Sequence, residues 1–179
     1  MGDTLLTRFI GVLISPRRTF RQVAECPSDL QVISLALVFG TLFAGQMPLE
    51  SRPVLYLLLS LFSGLGYVYF SGHFLVWTLK ISDVALPART MRMVVGYSLA
   101  PYIIALSLMV IFQDNRYPGF SIINLGLMIW TWSLNVYGAR VVAGLPVVQA
   151  IFMTFLPLSA LMFVIALIFK LWWVCCGQG

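Results

Sequence analysis

Five long apolar stretches, separated by short polar connections rich in proline and glycine, dominate the chain. They cover about residues 30–47, 54–79, 93–112, 120–142 and 147–173, and none of them contains an aspartate or a glutamate. At ~1.5 Å of rise per residue, each stretch can cross a hydrocarbon core of ~30 Å as a helix. The pattern therefore predicts an all-α fold, a polytopic membrane bundle of five transmembrane helices.

A shorter, amphipathic pattern precedes the first of these stretches. Residues 3–14 place their apolar side chains on one face of a helix, and Ser15-Pro16 restarts the chain as a cap and first helical residue. Residues 16–25 then place Phe20 and Val23 on one side and three arginines on another, namely Arg17, Arg18 and Arg21. Two interpretations remain open: both helices lie along the headgroups, or they pack on the underside of the bundle. At a headgroup surface each arginine contributes ~1 kcal/mol toward anionic lipid.

Composition and charge place this pattern in a membrane. The chain is 60% apolar and 9% charged, whereas soluble domains carry roughly 25% charged residues. Eight of the 11 basic residues lie on the side of the N-terminus, which predicts a cytoplasmic N-terminus and an outer C-terminus. We expect a cytoplasmic segment at 1–27, a transmembrane domain at 28–174 and a short tail at 175–179. The net charge of +5 indicates topology and lipid attraction rather than nucleic-acid binding.

Two prolines interrupt the predicted spans. Pro101 lies about half-way along the third span and frees the backbone carbonyl of Tyr97, which needs a partner in hydrocarbon. We expect neighbouring spans to pack on this irregular point. Pro157 lies at a similar depth in the fifth span, so spans 2–3 and 4–5 could form two similar hairpins.

Polar residues within the spans form a candidate intramembrane site: His73, Tyr97, Pro101, Asn124, Asn135 and Pro157. His73 is the only histidine, and either a functional group or an imidazole bonded to a neighbouring helix explains it. Asn124 and Asn135 share one face of a helix with Met128 and Thr131. They either line a polar groove or join helices by hydrogen bonds.

Catalytic patterns are missing from the sequence. Ser71 and His73 point about 200° apart on one helix, so they cannot form a nucleophile–base pair. We find no paired carboxylates, phosphate-binding glycine loop or metal-ligand spacing. The sequence therefore predicts a protein that is not an enzyme and has no cofactor. For Cys175 and Cys176, acylation and an unmodified interfacial pair both remain open.

Three stretches together resemble the Yip (Ypt-interacting protein) family of five-span membrane proteins. They are Ser15 to Ala24, Gly96 to Pro101 with its tyrosine-to-proline motif, and Trp132 to Gly138. The glycine-rich linker of many members is absent, since Ile81–Arg92 contains no glycine. The resemblance, closest to prokaryotic members, implies a bacterial inner-membrane protein and supplies no catalytic residues. Eukaryotic members are associated with Rab GTPases and vesicle trafficking.

Two functions remain as hypotheses. The first is a non-enzymatic membrane scaffold or adaptor, whose basic face of Arg17, Arg18 and Arg21 meets a membrane-protein partner or lipid headgroups. The second is a small carrier, channel or lipid transporter with a polar cavity inside the membrane. The lipid bilayer is the partner in both, and the oligomeric state is left open.

Overall fold

The computed structural model describes residues 4–46, 53–112 and 118–156, and within these ranges the chain is helical without a β-strand. The elements follow in order as α1 (Leu5–Ile14), α2 (Pro16–Glu25), α3 (Asp29–Ala44), α4 (Pro53–Leu61), a π-helical segment (Phe62–Gly66), α5 (Tyr67–Ile81), α6 (Ala88–Ser98), α7 (Ala100–Phe112), α8 (Pro118–Ala143) and α9 (Val147–Leu156). The all-α prediction is confirmed.

Among the described residues, two helical stretches are long and apolar enough to cross a membrane, Pro53–Ile81 and Ala88–Ile111. A third candidate is the pair Ile122–Ala143 and Val147–Leu156, which is bent by 119° at the Gly144-Leu-Pro146 break. The first predicted span forms only the 16 residues of α3, about 24 Å at the standard helical rise. The count of five spans is therefore not confirmed and stays a prediction. Residues 157–173 of the fifth span, with Pro157, lie outside the described residues.

Helix ends differ in detail from the sequence prediction. The third span begins at Ala88 rather than Met93, so five residues assigned to the linker are helical. Thr4 caps α1 through its side-chain oxygen, which accepts from the Thr7 N–H at 3.3 Å. Ser15 and Ser28 occupy N-cap positions without a side-chain capping bond. The Ser15 carbonyl instead accepts from the Thr19 hydroxyl at 3.1 Å.

Close backbone contact joins α3 to the π-helical segment. A Cβ atom on Gly40 would collide with the Ser60 carbonyl oxygen and lie 2.9 Å from the Gly64 nitrogen. A Cβ on Gly64 would in turn collide with the Ala36 carbonyl oxygen. Glycine at both positions is what permits this close approach of the two backbones.

The irregular point in the third span is a break of one residue between α6 and α7. Leu99 lies outside both helices, and its N–H donates to the Gly96 carbonyl at 3.3 Å. Pro101 is the second residue of α7, where its missing N–H costs no intrahelical bond. Leu99 and Ala100 are buried, so neighbouring helices do pack on this point.

The two N-terminal helices pack on the bundle. Val12 of α1 and Phe20 and Val23 of α2 are fully buried in the main core. This confirms the second of the two interpretations for these helices. Contact with lipid headgroups stays a prediction. The outer side of α1 exposes the apolar side chains of Leu6, Ile10 and Ile14.

Candidate functional site

An open basic surface lies where α2 meets the end of α8. Arg17, Arg18 and Arg21 are exposed on α2, as predicted. They border a groove of about 710 Å³ that also reaches Glu25 and Tyr137. A second groove, of about 360 Å³, is lined by Arg17, Arg21, Tyr137 and Arg140, with Val141, Gly144 and Leu145. We call this second pocket the arginine groove.

Phe20 and Gly138 determine where the basic surface lies. The Phe20 ring is fully buried, and a Cβ on Gly138 would lie 2.9 Å from two of its ring carbons. The same Cβ would lie 2.7 Å from the Val94 side chain. Glycine on α8 thus leaves the space that the α2 phenylalanine fills, and this packing turns the arginines of α2 outward.

Other arginines on this side of the molecule are already engaged. Asp29, at the start of α3, accepts from Nε of Arg89 at 3.0 Å and from Nη2 of Arg92 at 3.2 Å. The guanidinium of Arg92 also lies 4.6 Å from the centre of the Tyr69 ring, a cation–π contact. In the described parts of the chain, none of the arginines at 17, 18, 21 and 140 forms an ion pair. The basic groups of these four side chains are therefore not engaged by a carboxylate of the described residues.

Tyr97, the tyrosine of the family motif, belongs to a buried polar network. Its hydroxyl donates to Oε1 of Gln31 at 2.8 Å, and the whole side chain is buried. The same Oε1 accepts from Nη1 of Arg8 at 3.1 Å, and Nη1 also donates to the Cys26 carbonyl at 2.9 Å. The network joins α1, α3 and α6 at one point. It makes Tyr97 a residue that fixes the N-terminal helices to the bundle.

A cavity of about 200 Å³ lies beside the Leu99 break, between α3, α5, α6, α7 and α8. Three polar atoms of α8 are buried there without a hydrogen-bond partner among the described residues: Thr131 Oγ1, Trp132 Nε1 and Asn135 Oδ1. Three of the four residues predicted to share a face of this helix, Met128, Thr131 and Asn135, line the cavity, and the fourth, Asn124, does not. Trp132 lines the cavity, whereas Trp130, two residues earlier on the same helix, is exposed.

None of the other described residues of the predicted polar site lines this cavity. His73 is exposed on α5, where its Nδ1 lies 2.9 Å from the Tyr69 carbonyl of the same helix. The expected bond to a neighbouring helix is therefore wrong. Asn124 interacts with the Tyr102 side chain, and Pro101 lies at the helix break. The predicted set is thus not one site.

Sequence reasoning missed Arg140 and Tyr137 as parts of the basic surface, and Gln31 as the acceptor for Tyr97. The only available signals were weak: Arg140 counts toward the same membrane side, and Tyr137 lies in a family stretch. Within residues 4–46, 53–112 and 118–156, no group of three histidine, cysteine or acidic side chains could hold a metal ion. The Cys26 thiol is free and exposed.

The fold and its apolar helices define the class of protein. It is a helical integral membrane protein with a basic surface at one end of its bundle. The model of the Yip1 domain family matches residues 10–168, most of the chain. The chain therefore belongs to the Yip family. Comparisons with curated proteins and with solved structures gave no match.

Proposed function

We propose that this chain is a non-enzymatic membrane scaffold or adaptor of the Yip type, acting in membrane organisation or trafficking. In this proposal the N-terminus faces the cytoplasm of a bacterial cell, at its inner membrane. One observation carries the proposal: Phe20 packed against Gly138 holds Arg17, Arg18 and Arg21 outward on a fixed surface. Such a surface suits an acidic membrane-protein partner or anionic headgroups, since it presents uncompensated charge.

Affinity capture from native membranes tests this function. The full chain and an Arg17→Gln/Arg18→Gln/Arg21→Gln variant are expressed at equal levels, solubilised in mild detergent and analysed by quantitative mass spectrometry. The variant should lose the co-purified proteins and anionic lipids that the wild type retains. An Arg89→Gln variant is the matched control, because Arg89 is ion-paired to Asp29. Unchanged co-purification in the triple variant would refute the scaffold function.

The cavity beside Leu99 supports a second candidate, a small carrier, channel or lipid transporter. Its three unpartnered polar atoms all lie on α8 and face a cavity lined mainly by apolar and aromatic side chains. Burying such atoms costs about 1–3 kcal/mol each unless a water or ligand satisfies them. At ~30 Å³ per water molecule, the volume has room for about six waters.

Cysteine labelling distinguishes the two functions. In a background with Cys26, Cys175 and Cys176 changed to serine, Asn135→Cys is exposed to a water-soluble maleimide in sealed vesicles. A transport path predicts labelling, whereas a scaffold with a sealed cavity predicts protection. The control is Ser133→Cys, which lies on the exposed side of α8 and should stay unreactive in the bilayer.

A further inference from the structure

Three arginines from two distant segments converge on the arginine groove. Arg17 and Arg21 come from α2, whereas Arg140 comes from the last turn of α8, more than a hundred residues later. The packing of Phe20 against Gly138 brings the two segments together. The groove is therefore a product of the tertiary fold, distinct from the charge of the α2 helix alone.

Electrostatics indicates that the groove is matched to an anion. No carboxylate lines it, and none of its arginines has an ion-pair partner in the described part of the chain. By contrast, Arg89 and Arg92 share the carboxylate of Asp29. Three like charges on one small pocket repel one another, so binding an anion stabilises the arrangement.

The donor set suits an oxyanion such as phosphate. Each guanidinium offers a planar fork of N–H donors that binds phosphate oxygens in pairs. The Tyr137 side chain lines the same groove, and its hydroxyl makes no hydrogen bond to the described residues. It adds a neutral donor, which the three cations alone do not supply.

The apolar side of the groove indicates the source of that phosphate. Val141 and Leu145 line it beside the arginines, and α9 follows at once with Val148 65% exposed and Phe152 64% exposed. A free phosphate ion gains nothing from contact with these apolar surfaces, whereas the acyl chains of a lipid would cover them. We propose that the arginine groove binds the phosphate of an anionic phospholipid, with its acyl chains along α9. This inference rests on the proposed scaffold function, because the groove shares Arg17 and Arg21 with the docking surface.

Native mass spectrometry of the full chain in neutral detergent tests the assignment. The probes are phosphatidic acid, phosphatidylglycerol and phosphatidylcholine with identical acyl chains. The first two should bind, and phosphatidylcholine should bind at least about tenfold more weakly, since its positive choline group faces three arginines. Equal binding of all three lipids would overturn the proposal.

Arg140→Gln and Arg18→Gln form the decisive pair of variants. Arg18 is exposed on α2, the helix that carries Arg17 and Arg21, but it does not line the arginine groove. A diffuse surface charge predicts the same loss for both, about fivefold for ~1 kcal/mol per arginine. The proposed site predicts a loss above about tenfold for Arg140→Gln, because a paired charge-assisted bond disappears, and about fivefold or less for Arg18→Gln. Equal losses would overturn the site.

Two further arms complete the experiment. Arg140→Lys keeps the charge without the planar fork of N–H donors, so its lipid affinity should lie between those of the wild type and Arg140→Gln. This variant also keeps the test valid if Arg140→Gln misfolds. Excess inorganic phosphate should displace little lipid; full displacement would assign the groove to a soluble phosphate and overturn the lipid source. Suppose that Arg140→Gln and Arg18→Gln lose lipid affinity equally, while the Arg17→Gln/Arg18→Gln/Arg21→Gln variant loses its co-purified partners. The lipid site is then refuted and the scaffold function stands. Retained partners in the triple variant refute the scaffold function itself.

Discussion

Gly40→Ala should strongly destabilise the bundle, because it adds a methyl group where two helical segments meet backbone to backbone. The new Cβ would collide with the Ser60 carbonyl and lie 2.9 Å from the Gly64 nitrogen and 3.0 Å from its Cα. All three atoms belong to the backbone, so no side chain can rotate away and the helices must separate. Overpacking that side chains can absorb costs about 1–3 kcal/mol. For this backbone contact we expect about 3 kcal/mol, at the top of that range.

Gly66→Ala is the matched control. Gly66 is the last residue of the π-helical segment that Gly40 contacts, and a Cβ on Gly66 meets nothing within 4 Å. Because alanine is less costly to order than glycine, this change should be neutral or stabilise by up to about 1 kcal/mol. The assay is unfolding in mixed micelles titrated with sodium dodecyl sulfate and followed by circular dichroism.

The double variant Gly40→Ala/Gly64→Ala sharpens the test. Separating the helices once relieves both collisions, so the combined loss should fall short of the sum of the two single losses. Differences between such variants scatter by about 0.5 kcal/mol. If the unfolding free energies of Gly40→Ala and Gly66→Ala differ by no more than that, the close approach of α3 to the π-helical segment is wrong.

Three further changes probe the other contacts. Tyr97→Phe removes the bond to Gln31 and should lower the unfolding free energy by about 1 kcal/mol in the same micelle assay; no change would remove Tyr97 from the network. Arg92→Gln should cost more than Arg89→Gln, because the Arg92 side chain is 17% exposed and that of Arg89 is 46% exposed, and exposed pairs contribute roughly 0–1 kcal/mol. Equal thermal midpoints would contradict this ranking. Phe20→Ala should release α2, at a cost of about 3 kcal/mol, and speed tryptic cleavage after the α2 arginines by up to about a hundredfold. Wild-type cleavage rates would show that Phe20 does not hold the helix.

Local patterns in the sequence predicted most helices but not their partners. The amphipathic periods and the Ser15-Pro16 break gave α1 and α2 to within a few residues, because helical spacing and capping are local properties. In a membrane, however, lipid and core are both apolar, so hydropathy cannot tell which side of a helix faces inward. Leu30 and Val32 illustrate this: one is 74% exposed and the other fully buried.

His73 and Arg140 show the same limit for polar residues. An ionisable side chain in a span is expected to face inward, yet His73 lies outward because the Tyr69 carbonyl of its own helix provides a hydrogen-bond partner. Arg140 reaches the basic surface only through the packing of α2 against α8, which depends on Phe20 and Gly138. Neither outcome is encoded by spacing along one helix. The π-helical segment lies at the backbone contact with α3, and its five residues alone do not predict that contact.

Polar contacts are concentrated where the N-terminal helices join the bundle, and this bears on how the basic surface works. The Tyr97–Gln31–Arg8 network ties α1 to α3 and α6, while Phe20 ties α2 to α8. Ordering a free segment on binding costs roughly 1–2 kcal/mol per residue of backbone, and a ten-residue helix that is already packed avoids that cost. The arginines therefore form a preformed surface, and for the partner proposed above this favours rapid, charge-guided association. A mobile arm of the same charge would reach farther but would lose conformational entropy on binding. The buried contacts of α1 and α2 therefore hold the exposed arginines in place as well as stabilising the fold.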